Sequence, residues 1–278
     1  MMRKTKPILI TDLFSPTLDT LIELLASLGP EDWEQPTVCG NWKVKDVALH
    51  LLAIDISNIS RKRDGFSLTP KKPIRNNQDL LEFINELNQS WISAGQRIST
   101  ALLVDLLRFV GQQVTAYFET IDPFSLGEPV SWAGPEPAPL WLDLAREYTE
   151  RWHHQQHIRD AVRKPGLKEA RFFAPVLDAF VRAMPYTYQD VTAPEGTCVC
   201  LIISGDAGGQ WTIRQEEKAW VLYTGAEEPL VAKVTINQED AWRLFTKGID
   251  PNQVRARSSI AGSEDFGARI FQMVSIIA

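Results

Sequence analysis

At 278 residues the chain has room for one large domain or two modest ones, and 44% apolar with 23% charged residues is the balance of an ordinary globular protein. A formal net charge of −6 argues against nucleic acid as the main partner, because phosphate binding needs a concentrated positive surface. Three cysteines are too few, and too oddly numbered, for a disulfide framework.

The N-terminal Met1-Met2-Arg3-Lys4-Thr5-Lys6-Pro7 is basic, but Ile8-Leu9-Ile10 runs straight into Thr11-Asp12. Neither a signal peptide nor a membrane span is expected, which leaves the cytoplasm as the default compartment. Residues 12 to 28 read as a first helix, with Leu13, Leu18, Leu21, Leu25 and Leu28 on its stripe and Gly29-Pro30 as its stop. Asn41 is the expected N-cap of a second helix that carries His50 and runs to about Arg63. A polar loop from Asp64 to Pro73 precedes a long helical region, about Asn77 to Glu119, with a break expected at Gly95 or at Ser99-Thr100. Five prolines and two glycines between residues 122 and 139 predict a loop over the end of a bundle. A further helix follows from about Pro139 to Val162, where Leu140, Leu144, Tyr148, Trp152 and Ile158 recur at helical spacings and Pro165-Gly166 ends the run.

After a short helix near Phe172 to Arg182 the character changes. Cys198 to Ile203, Gln210 to Arg214, Ala219 to Tyr223 and Val231 to Ile236 read as strands, Asn237 as the cap of a helix to Gly248, and Pro251 to Gly267 as loop-like. The C-terminal residues from Ala268 close as helix or strand. The expected architecture is therefore a helical bundle over residues 1–188 and a smaller α+β domain over 189–278.

Three of the four histidines fall inside Glu150-Arg151-Trp152-His153-His154-Gln155-Gln156-His157. Residues four apart share a helix face, so Glu150 and His154 can point at one ion, and His157 returns to nearly the same face. The remaining histidine, His50, lies between the apolar positions Val47, Ala48, Leu51 and Leu52, on the side expected to face the bundle. Alone it would read as a hydrogen-bonded core residue. With Glu150 and His154 it makes a two-histidine, one-carboxylate site with an open position for water or substrate. Zinc is the first expectation, with nickel and iron(II) as alternatives that ligand type does not separate. His153, about 100° round the helix from His154, is expected on the surface or between helices. His157 is open between a fourth ligand, an acid–base group near the metal, a partner of a ligand, and a surface histidine. Cys39 sits in a turn and reads first as a small buried cysteine.

Cys39-Gly40-Asn41-Trp42-Lys43-Val44-Lys45-Asp46-Val47-Ala48-Leu49-His50 resembles the first metal-ligand helix of the mycothiol-dependent maleylpyruvate isomerase family. Glu150-x-Trp152-x-His154-x-Gln156 resembles that family's second ligand motif. The resemblance implies a DinB-like metal-binding four-helix bundle, with His50, Glu150 and His154 as the ligands, and a C-terminal domain related to sterol-carrier-like folds. It also implies that a low-molecular-weight thiol, mycothiol or an analogue, binds the open position as thiolate. One position departs from the pattern: His157 stands where many relatives carry Asp.

The expected function is thus a metal- and thiol-dependent isomerase or transferase acting on a small electrophile, with His157 as catalytic candidate. Arg255 and Arg257 are candidates for binding an anionic substrate or a thiol carboxylate. The rival readings are a non-catalytic binding protein with a structural metal, and a metal-dependent hydrolase in which water replaces the thiol. Expected partners are the small-molecule thiol and substrate, with neither nucleic acid nor membrane.

Overall fold

The computed structural model describes every residue except Ser67, Lys71, Lys218, Ile277 and Ala278, together with all side chains but that of Asn77 among the rest. A two-residue strand, β1 (Arg3–Lys4), precedes α1 (Thr11–Ala26) and the single turn α2 (Pro30–Trp33). Next come α3 (Val44–Ser57), prolonged by a π-helical stretch over Asn58–Arg63, then α4 (Asn77–Gly95) and α5 (Thr100–Phe118). Short strands β2 (Leu126–Pro129) and β3 (Pro137–Pro139) lead into α6 (Leu140–Val162), followed by α7 (Ala170–Phe180) and α8 (Met184–Thr187). The remainder is β4 (Cys198–Ser204), β5 (Gly209–Glu216), β6 (Ala219–Thr224), β7 (Ala232–Asn237), α9 (Gln238–Phe245), α10 (Pro251–Arg257), β8 (Ser259–Gly262) and α11 (Glu264–Ala268).

Two compact units result, and they cut the chain differently from the division expected between residues 188 and 189. One gathers Ile10–Asp122 with Glu150–Leu167; the other gathers Met1–Leu9, Pro123–Thr149 and Lys168–Ile277. The division falls inside α6, so Glu150 is the first residue of that helix to belong with the bundle.

The bundle unit is built on α1, α3, α5 and the second half of α6, with α4 against α3. Leu21 and Leu25 of α1, Val47 and Leu51 of α3, Leu107 of α5 and Ile158 of α6 share one apolar core. The expected long helix breaks at Ser99, whose Oγ accepts the Leu102 N–H at 3.3 Å and starts α5 afresh. Gly111 lets α5 approach α1: a Cβ there would lie 2.7 Å from Leu18 Cδ1. The cap of α3 is Lys43, not Asn41. Its backbone N–H donates to Asp46 Oδ2 at 2.9 Å, so the first-turn acid does the capping that Asn41 was expected to do.

The other unit holds a six-stranded sheet in the order β1-β6-β5-β4-β7-β8, with β4 and β7 parallel and the other neighbours antiparallel. Asn237 caps α9 as expected, its Oδ1 accepting the Glu239 N–H at 2.9 Å. The loop-like expectation for Pro251 to Gly267 fails: α10 starts there on an Asp250 cap with Pro251 in its first turn, and β8 pairs with β7. Residues 123–139, expected as loop, likewise hold the β2–β3 pair and belong with the sheet unit. Strand β1 pairs Arg3 with Thr224, an edge that no local pattern announced. No helix among the described residues is long and apolar enough to cross a membrane. The fold class is the expected one, a helical bundle and a mixed α+β unit.

Candidate metal centre

The segment before α3 is a tight turn tied at its base. Thr37 donates both its N–H, at 3.0 Å, and its hydroxyl, at 2.7 Å, to the Trp42 carbonyl. Gly40, at φ +61°, makes the left-handed corner, and the Trp42 N–H closes onto the Cys39 carbonyl at 3.1 Å. Cys39 is thereby held at the crest, its own N–H donating to Thr37 Oγ1 at 3.2 Å. The Trp42 ring lies against His50, with centroids 5.0 Å apart, and limits where that imidazole can turn.

Facing it is the second half of α6. Two contacts set its register against α3: the His50 and His154 rings meet at 4.7 Å, and Arg151 pairs with Asp55. Residue numbers rise along one helix as they fall along the other, so the two run antiparallel here. The Arg151 guanidinium also lies over the rings of Phe14 and Phe118, at 5.5 and 5.4 Å. Gln155 donates to Thr20 Oγ1 of α1 at 3.3 Å. Trp152 and Gln156, alternating with Glu150 and His154, point the other way round the helix. Trp152 Nε1 donates to the Leu167 carbonyl at 2.8 Å and Gln156 Nε2 to the Gly166 carbonyl at 3.0 Å. The motif thus has two jobs: one pair faces α3, the other secures the chain as it leaves the helix.

His50, Glu150 and His154 each present a donor atom within 4.8 Å of the other two. With metal bonds of about 2.0–2.1 Å, nitrogen and oxygen donors on one ion lie about 3.3 to 4.2 Å apart. His154 Nε2 and Glu150 Oε2 are already at 3.5 Å, a ligand-to-ligand spacing, and the widest pair needs a closure of at most about 1.5 Å to reach that of a tetrahedral ion. A second group shares His154: Cys39, His154 and His157 also have donors within 4.8 Å of one another, and Cys39 Sγ meets His157 Nδ1 at 3.0 Å.

Burial decides the protonation of the imidazoles. It pushes His154 down to about 3, with His153 adding to the fall and Glu150 opposing it. Burial also lowers His50, against the pull of the Glu150 charge. Both are therefore neutral near pH 7, the form that coordinates metal. Burial raises the Cys39 thiol, and the Glu150 charge raises it further. Nδ1 of His50 and Nδ1 of His154 are buried without a hydrogen-bond partner among the described residues. Buried, neutral, under-satisfied imidazoles beside a carboxylate are costly unless a cation completes them, so the residues fit a divalent metal.

His153 takes the buried one of the two places expected of it. It is only 3% exposed, and its ring lies 4.1 Å from that of His154 and 5.3 Å from that of His157. All four histidines of the chain thus belong to one cluster. Helical spacing separates His153 from His154, but α6 is buried on nearly all sides from Trp152 to Ile158, which no single-face pattern indicates. Arg255 and Arg257 belong to the other unit, on α10, where Arg255 pairs with Glu264 and Arg257 with Asp240 at 3.1 Å. Arg255 also lines a cleft of about 830 Å³ with Lys247, Asp250 and Phe271.

Residues 14–159 match the family model for the mycothiol maleylpyruvate isomerase N-terminal domain. No curated protein sequence matches. Among solved structures, the crystal structure of the mycothiol-dependent maleylpyruvate isomerase aligns with a TM-score of 0.51 at 12% identity, over 84% of this chain and 86% of that one. A mutant of that enzyme with a histidine changed to alanine aligns with a TM-score of 0.50 at 11% identity, over 86% and 88%. At such identities these likenesses speak for the fold.

Proposed function

The chain belongs to the mycothiol maleylpyruvate isomerase N-terminal domain family, and from that premise we propose a metal- and thiol-dependent isomerase or transferase acting on a small electrophile. The observation that carries the reading is the convergence of His50, Glu150 and His154 donors within 4.8 Å, inside the matched segment. These three residues hold the ion, zinc before nickel or iron(II). A zinc ion held by these residues would supply Lewis acidity and would favour the thiolate form of a small thiol near neutral pH.

The chain's own residues prepare that chemistry. Desolvation keeps His50 and His154 neutral, so their lone pairs serve the ion without prior loss of a proton. The Asp55–Arg151 pair sets the rotation of α6 that turns Glu150 and His154 toward His50. His157, in contact with Cys39 Sγ through Nδ1, is the imidazole set to move a proton beside the donors. Mycothiol or a related thiol is the expected cofactor and a small electrophile the partner. Arg255 and Arg257 are the anion-binding candidates, and the cytoplasm is the compartment in which we place the protein.

The test is elemental analysis of protein purified without chelator, beside His50→Ala and His154→Ala. About one equivalent of transition metal in the parent and its loss in both variants is the expected result. Absence of metal even after reconstitution overturns the reading. Turnover of an electrophile that persists with no thiol added would turn it toward metal-assisted hydrolysis.

A further inference from the structure

Cys39 and His157 lie 118 positions apart and come from a turn and a helix, yet Sγ and Nδ1 are 3.0 Å from each other. Both have donors within 4.8 Å of the donor offered by His154, the histidine common to the two groups. His154 is 92% buried by its 8% exposure and keeps a buried Nδ1 with no hydrogen-bond partner among the described residues. For one ion bound by sulfur at about 2.3 Å and nitrogen at about 2.0–2.1 Å, donors lie no more than about 4.4 Å apart. The Cys39–His154–His157 donors lie within the same 4.8 Å as those of the group with Glu150, and the two are separate sets that share only His154. The sulfur is also anchored rather than loose: the turn that carries it is closed at Trp42 and cornered at Gly40.

Accepting that the cluster holds a metal, as proposed above, we infer that Cys39 and His154 offer that ion a second set of donors, separate from the His50–Glu150–His154 set and sharing only His154 with it, so the centre can carry a thiolate belonging to the protein. A soft sulfur donor shifts the preference of such a site toward zinc over harder cations. An ion drawn to this second set already carries a sulfur, so an incoming low-molecular-weight thiol competes with Cys39 for it. The proton lost when the sulfur binds passes to His157 or to solvent.

Cobalt(II) reconstitution in thiol-free buffer reads this directly. In the wild-type protein one equivalent of Co2+ should give an intense near-ultraviolet sulfur-to-cobalt charge-transfer band. Cys39→Ala and Cys39→Ser should lose that band while still binding Co2+ through the histidines, at least about tenfold more weakly. Because either variant can misfold, a second measurement uses the wild type alone: Zn2+ should slow iodoacetamide alkylation of Cys39 at least about tenfold. One equivalent of Co2+ without the band, a band that survives in Cys39→Ala, or an alkylation rate indifferent to Zn2+ overturns the inference and leaves the His50–Glu150–His154 reading standing. Failure of the wild-type protein to take up Co2+ or Zn2+ overturns both.

Discussion

The bundle and the sheet unit bury very different interiors. In the sheet, Val199, Leu201, Ile213, Val234 and Ile236 are fully or almost fully buried, and the strands are held by area and ladder hydrogen bonds. In the bundle, the stretch of α6 from His153 to His157 is as buried, yet every residue in it is polar. Burying such groups costs stability unless each finds a partner. Here the partners are Thr20 for Gln155, the Gly166 carbonyl for Gln156 and Cys39 for His157. The apolar core round Leu51 and Leu107 offsets the cost. In the sheet the fully buried Thr212 donates its hydroxyl to the Gly225 carbonyl at 2.7 Å, and its neighbours Trp211 and Ile213 are apolar.

That contrast can be broken first at Asp55. Asp55→Ala leaves the Arg151 charge without its carboxylate in a buried setting, and a loss of about 3–5 kcal/mol is expected in denaturant unfolding followed by circular dichroism. A loss under 1 kcal/mol would show that the pair does not hold α6 in register. Next is Leu201→Ala in the sheet, where a cavity should cost about 3 kcal/mol with metal content unchanged. If that variant lost its metal, the two interiors would not be independent in the way their compositions suggest.

A third test uses pH on metal-free protein. His154 sits at about 3 when folded against 6.5 when exposed, so between those values the unfolded chain binds a proton that the folded chain refuses. Stability from this group is complete above about pH 6.5 and declines as the pH falls toward 3, by up to about 1.4 kcal/mol per unit. His50 is lowered for the same reason and adds to the slope. Denaturation midpoints at pH 7.5, 6 and 5 should therefore fall, and His154→Gln should flatten the trend. A flat profile in the parent would mean that the histidine cluster is open to solvent.

Much of this was legible in one dimension. Period-3.6 apolar spacing located α1, α3, α4, α5 and α6, runs of β-forming residues located β4 and β7, alternation located β5 and β6, and Asn237 announced its helix. The pairing of Glu150 with His154 followed from four-residue spacing, and His50 from its place among Val47, Ala48 and Leu51. The capping of α3 was misread because Asn41 is a good cap by residue type, whereas Asp46 reaches back to the Lys43 N–H from the first turn. The α10 segment was missed because seven residues give too little periodicity to register.

What the sequence determined by itself, then, is which residues share a helix face or a strand, since those relations are set by backbone geometry over a few positions. Only the tertiary structure decided what covers the other faces. Burial of His153, the Cys39–His157 contact, the β1–β6 edge and the division of the chain inside α6 all join residues far apart in number. Local spacing carries no record of such meetings, because they depend on how helices and strands pack once formed rather than on how each one forms.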